Sequence, residues 1–154
     1  MNKENKAMLK ALEFEYLQKK YPSNPYIVPE DYNDNSTNAL TKCIIKFLNY
    51  SNCQAERINT MGIYREGKKI KVGENTRQLK GMFTPSTGTK GSADISAIIQ
   101  GRSVKIEVKF GKDKQSEVQK QYQESVESAG GIYYIAKDFD SFILFYNNLL
   151  AYLK

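Results

Sequence analysis

The chain has 154 residues, 40% hydrophobic and 26% charged, with a formal net charge of +6 and no histidine. That length supports one domain with a real core. The missing histidine removes His-based triads, His-carried acid–base chemistry and His-ligated metal sites, so catalysis would rest on carboxylates, lysine, tyrosine or backbone groups. Cys43 and Cys53 are too few for a disulfide scaffold or a closed zinc site, which leaves hard cations on oxygen ligands as the expected metals. No apolar run approaches the roughly 20 residues of a membrane span, and the N-terminus lacks a signal-peptide core, so the expected setting is the cytoplasm, without a membrane partner.

Residues 3–20 carry Met8, Leu9, Leu12, Tyr16 and Leu17 at helical spacing. Pro22, Pro25 and Pro29 then impose an extended connection. Residues 1–35 form an N-terminal helical extension that can brace the core or a partner subunit in a homodimer. Residues 36–154 form the main domain. Its first helix is expected from Thr37 to about Asn49, capped by Ser36 or Thr37, with Leu40, Ile44, Phe47 and Leu48 inward. A strand is expected over 54–58.

Positive charge concentrates next. Between Arg57 and Lys90 eight basic residues face two acids. Such an excess suits a polyanion, most plausibly nucleic acid, although a solvated lysine-rich surface has the same composition. Residues 65–77 read as a hairpin arm or a mobile loop. The turn-forming run 84–91 is either a loop that closes over a substrate or a plain connector.

Two strands follow, 93–99 and 103–110. The second alternates strictly, with Val104, Ile106 and Val108 on one face and Lys105, Glu107 and Lys109 on the other. If Gln100-Gly101 is a two-residue hairpin turn, Ile99 faces Arg102 and Asp94 falls opposite Glu107. Their Cβ atoms would then be about 4.5–5.5 Å apart on a shared face. Two acids at that spacing repel unless a cation or proton intervenes, and Lys109 projects to the same side. A three-residue loop would instead set Asp94 opposite Val108. A Lys-Glu-Lys face is also common on half-solvated sheets, so the bland reading stands beside the metal-site reading.

A helix is expected over 116–129, with Val118, Tyr122, Val126 and Ala129 inward and Gly130-Gly131 as its stop. A strand over 132–136 follows. A last helix, capped by Asp140 or Ser141, carries Phe142, Phe145, Tyr146, Leu149, Leu150 and Leu153. The strand–helix–strand passage through 116–132 is long enough for a parallel crossover, which predicts an α/β fold with a mixed sheet flanked by helices.

In this order the residues resemble the PD-(D/E)XK nuclease superfamily, and within it the VRR-NUC and Holliday-junction-resolvase-like branches. The matching set is Gly91-Ser-Ala-Asp94-Ile, Ile106-Glu107-Val-Lys109, Gln119 in the following helix, and Gly130-Gly131. Upstream, Arg57-Ile-Asn59-Thr-Met-Gly62 is similar to an Arg-x-Asn…Gly segment of these nucleases. The resemblance covers residues 37 to about 146.

It implies a restriction-endonuclease-like core and a Mg²⁺- or Mn²⁺-dependent DNA endonuclease, acting on branched, structured or nonspecific DNA. Asp94, Glu107 and the Val108 carbonyl would be metal ligands. Asp94, Glu107, Lys109 and Gln119 would form the catalytic set, with Lys109 orienting water or stabilising phosphorane charge. Nucleic-acid contacts would fall to Arg57, Asn59, Lys68, Lys69, Lys71, Arg77 and Lys90. Gln119 also fits a capping box with Ser116, and Arg57 also fits an ordinary partnered arginine. Relatives often carry a Glu near the start of the first core helix; here that position falls near Asn38, which leaves either Asp34 as a substitute from the loop or a site of Asp94 and Glu107 alone. The alternative functions are a catalytically weak or inactive nucleic-acid-binding module of the same fold, and an assembly protein with a basic face.

Overall fold

The structure, a computed structural model, describes residues 1–59, 62–72, 75–85 and 88–153. The order is α1 (Lys3–Lys20), α2 (Thr37–Tyr50), β1 (Gln54–Arg57), β2 (Ile63–Arg65), β3 (Lys69–Val72), β4 (Asn75–Gln78), β5 (Met82–Thr84), β6 (Ile95–Ile99), β7 (Arg102–Val108), α3 (Glu117–Ser128), β8 (Ile132–Ala136) and α4 (Phe139–Tyr152). The fold is mixed α/β. A four-stranded sheet runs β1-β6-β7-β8, antiparallel except for the β7–β8 pair, which is parallel. The parallel step needs a crossover, and α3 supplies it.

One face of this sheet is the core. Ile95, Ala97, Ile99, Val104, Ile106, Val108 and Ala136 are buried there, each two residues from the next along its strand. α2 and α4 pack on that face. Ser36 sits in extended backbone before α2, and its Oγ accepts from the Ala39 N–H. Leu40, Ile44, Phe47 and Leu48 then fall on the buried stripe. Phe47 meets Phe139, Phe142 and Tyr146 edge-on, with centroids 5.9, 6.0 and 5.0 Å away, a geometry favoured by the ring quadrupoles. Asn52, at φ 58, turns the chain out of α2 towards β1.

Three expectations need correction. The cap of α4 is Asp138, whose carboxylate accepts from the Ser141 N–H at 2.7 Å. Asp140 instead accepts from the Asn2 N–H and the Asn5 amide, tying α1 to α4. On α3, Val118 is 46% exposed and Ala129 is exposed, while Tyr122 and Val126 are half-buried. That helix covers only the β8 side of the second sheet face, where Tyr122 meets Tyr133 edge-on at 6.3 Å. Finally, β1 ends at Arg57, and the Ile58 N–H donates to the Asp94 carbonyl.

Residues 65–77 are part of a hairpin arm, of which Gly73 and Glu74 lie outside the described residues, as do Thr60 and Met61 in the Arg57–Gly62 segment and Ser86 and Thr87 in the loop before Gly91. Among the described residues, no helix is long and apolar enough to cross a membrane.

α1 packs on α2 and α4 with Leu9 fully buried. One turn on, the buried Glu13 accepts from the Lys46 ammonium at 2.9 Å, the Tyr50 hydroxyl at 3.1 Å and the Glu30 N–H at 2.7 Å. Burial pushes the Glu13 carboxyl up, but its Lys46, Tyr32 and Glu30 contacts outweigh that and hold its pKa below the ordinary 4.5. Removing one partner of a buried ion pair strands the other. Lys46→Met is therefore expected to cost roughly 3 kcal/mol near neutral pH. A depressed carboxylate stabilises the fold above its unfolded pKa and loses that contribution as pH falls through its folded one. The gap between wild type and variant should narrow below about pH 4. Urea titrations across pH 3–7 measure this; a gap independent of pH would contradict it.

Candidate active site

Ile99 pairs with Arg102 across Gln100 and Gly101, whose φ angles are 48° and 76°. Positive φ at both central residues makes a type I′ hairpin turn, whose twist matches that of the strands. The register runs unbroken to Ile95 opposite Ile106, so one further step sets Asp94 opposite Glu107. The three-residue alternative is not adopted. Asp94 is pinned at both ends: its Oδ2 accepts from the Val108 N–H at 2.9 Å, and its carbonyl accepts from the Ile58 N–H at 2.8 Å.

Glu107 is 2% exposed. Its Oε1 accepts from the Lys109 ammonium at 3.1 Å and from the Gln119 amide, and its Oε2 accepts from the Tyr133 hydroxyl at 3.4 Å. Burial pushes the carboxyl above its usual range, and the nearby Asp94 charge adds to this against the opposing Lys109 contact. Lys109 is buried as well. Burial lowers its pKa, but Glu107 and Asp113 (3.5 Å away) outweigh that and raise it, so its charge persists. The lysine thus sets a positive charge against Glu107, one of the two opposed acids.

Gln119 forms the capping box and also bonds two of the expected site residues, Glu107 and Lys109. Its Oε1 accepts from the Ser116 N–H at 2.9 Å and from Lys109 at 3.1 Å, while Ser116 Oγ accepts from the Gln119 N–H at 3.3 Å. The capping box fixes the amide at the start of α3, and the amide's other end reaches Glu107. Gly91 brings the Asp94 loop against this helix. At φ 77° a Cβ there would lie 2.6 Å from the Val118 carbonyl oxygen, so only glycine allows the approach.

Asp94 also borders a cavity of about 690 Å³ lined by Asn38, Arg57, Ile58, Asn59, Gly62 and Ile63. Arg57 donates to the Asn38 side chain at 2.9 Å. Asn38 thus shares the cavity with Asp94 but brings no carboxylate. Asp34 does not replace it: its oxygens accept from the Phe139 N–H at 3.0 Å and the Met1 ammonium at 2.8 Å. Among the described residues no group of three or more His, Cys, Asp or Glu converges as a metal site. Two opposed carboxylates remain, a hard-oxygen donor pair that suits Mg²⁺ or Mn²⁺ with water completing the shell.

The basic residues divide. Arg57 and Asn59 line the cavity with Asp94, whereas Lys68, Lys69, Lys71 and Arg77 do not line it and lie on the arm; Lys90 is an exposed turn residue. Tyr133 and Asp113 were missed in the sequence. Parallel pairing of Lys105 with Tyr133 and of Glu107 with Ile135 puts these four on one face. No protein-family model matches the sequence, and no curated protein matches it either.

The two jobs of Gln119 can be separated. Ser116→Ala removes only the cap hydroxyl and should cost about 1 kcal/mol. Gln119→Ala also deprives buried Glu107 of a donor and should cost a further 1–3 kcal/mol or so. Equal losses in chemical denaturation would mean that Gln119 is only a cap.

Proposed function

We propose that this protein is a divalent-metal-dependent nuclease of the PD-(D/E)XK type, with a restriction-endonuclease-like core, hydrolysing phosphodiester bonds in DNA. The observation that carries the reading is the register of the β6–β7 hairpin, which opposes Asp94 and Glu107 with Lys109 against Glu107 at 3.1 Å. The order α2, β1, β6, β7, α3, β8, with one parallel strand pair beyond three antiparallel strands, supports the same reading.

Asp94, Glu107 and the Val108 carbonyl would hold the ion. When bound, a divalent ion polarises the scissile phosphate and makes its water a stronger nucleophile at neutral pH. The chain's own groups do the rest. Lys109 moves no proton in its charged state; it offers a fixed positive charge to a phosphate whose negative charge grows on attack. Gln119 holds Glu107 and Lys109 in one arrangement through a side chain already locked by the helix cap. Arg57 and Asn59, on the cavity wall, are placed to hold the phosphate beside Asp94.

A second reading keeps the fold and nucleic-acid binding but little catalysis. The uncharged Asn38, which lines the cavity with Asp94, favours it.

Asp94→Asn keeps an acceptor for the Val108 N–H while removing the charge, so its fold should persist. Cleavage of linear, flapped and four-way-junction DNA with Mg²⁺ or Mn²⁺ should fall about 100-fold or more in Asp94→Asn and in Lys109→Ala. EDTA should abolish it. Wild-type cleavage unchanged by either substitution would refute the assigned site, and salt-sensitive binding without cleavage of any substrate would favour the second reading.

A further inference from the structure

The arm between β2 and β5 is built of two short antiparallel ladders, β2–β5 and β3–β4, that share one register. Ile63 pairs with Thr84, Arg65 with Met82, Lys69 with Gln78 and Lys71 with Thr76. The Leu79 N–H donates to the Lys68 carbonyl at 3.0 Å between the two ladders, and the same register holds on both sides of it. At about 3.3 Å per residue, the stretch from Arg65 to Val72 can reach at most roughly 25 Å. At the base, Tyr64 reaches Gly81 and Phe83 lies over Gly62; a Cβ on Gly81 would meet the Tyr64 hydroxyl oxygen at 2.1 Å and one on Gly62 the Phe83 ring at 2.3 Å.

Opposed residues share a face and neighbours along a strand alternate. The ribbon therefore sorts its side chains. Arg65, Lys69, Lys71 and Lys80 fall on one face with Thr76, Gln78 and Met82, and among the described residues no acid joins them. Tyr64, Phe83, Ile70 and Leu79 fall on the other face, with Lys68, Arg77 and Glu66. Strand residues two apart are about 6.8 Å apart, so side chains on one face recur on the scale of the charge repeat of a nucleic-acid backbone. Among the described residues no carboxylate pairs with the four basic side chains, and Arg65, Lys69, Lys71 and Lys80 are all exposed.

From this sorting we infer that the arm is a duplex-DNA grip, laying its Arg65–Lys69–Lys71–Lys80 face along the phosphates and into the major groove beside the site. The major groove of B-DNA admits a two-stranded ribbon, whereas that of A-form RNA is too deep and narrow for side chains to read. The arm leaves the core at Gly62 and Ile63, which also line the Asp94 cavity. DNA held along the arm is thus led to Asp94. The inference rests on nucleic acid being the substrate and does not depend on its being cut.

Two charge variants of the full chain test it, with binding measured in EDTA so that cleavage plays no part. One changes Arg65, Lys69, Lys71 and Lys80 to Gln; the other changes Lys68 and Arg77 to Gln. On a duplex of about 30 base pairs, the first should bind at least about 10-fold more weakly, with a salt slope smaller by up to about 3.6. The second should change both far less than half as much. A variant that restores the charges, with Lys for Arg65 and Arg for the three lysines, should bind like wild type. Equal loss per charge in the two sets, or the same loss on single-stranded DNA or RNA duplex, would overturn the grip in favour of general attraction to polyanions. Unchanged duplex binding in the first variant, beside wild-type cleavage, would overturn the inference alone. Failure of the wild type to bind any nucleic acid would overturn both it and the nuclease reading.

Discussion

Asp94 and Glu107 repel each other across the β6–β7 hairpin, and much of the surrounding structure can be understood as the means of tolerating that repulsion. A slip of one residue in the register would send one of the acids to the core face. The type I′ turn at Gln100 and Gly101 prevents the slip, and the buried Ile95, Ala97, Ile99, Val104 and Ile106 make any alternative register costly. The repulsion is then offset by hydrogen bonds to Asp94 from the Val108 N–H and to Glu107 from Lys109, Gln119 and Tyr133. Buried carboxylates persist only when so supplied.

The same accounting explains why α3 is sparsely packed. Its Ser116–Gln119 cap must place an amide over Glu107, and its Tyr122 must meet Tyr133. Neither task calls for a deep apolar stripe, and the helix buries no residue completely. The core face, by contrast, carries the stability: α2 and α4 close over it through Phe47 and its three aromatic neighbours. One sheet thus separates a packed face from a polar one, with the candidate chemistry on the latter.

Legibility in the sequence follows this division. The strict alternation of 103–110 and the stripe Leu40–Ile44–Phe47–Leu48 are burial patterns, and burial on one face fixes register and helix phase. The position of Asp94 followed from the same count. Choices among chemically similar neighbours were not legible. Asp138, Asp140 and Ser141 can all cap a helix, and the contact of Asp140 with Asn2 and Asn5, 138 and 135 residues away, decides that it does not. Val118 looked like a core residue by spacing, yet only the crossover geometry shows how little of the sheet α3 covers. Tyr133 gained its place from the parallel pairing of β7 with β8, which no local pattern specifies. Residues 65–77 were ambiguous because a polar, basic ribbon has no buried face to impose a period.

The central claim is that Asp94 and Glu107 jointly hold one hard cation, with the charged Lys109 against Glu107. Titration of Mn²⁺ followed by the electron paramagnetic resonance of the free ion measures this without reference to cleavage. The account predicts saturable binding to the wild type that is lost in both Asp94→Asn and Glu107→Gln, with the fold retained by circular dichroism. Retention of wild-type Mn²⁺ binding in either folded variant would contradict it.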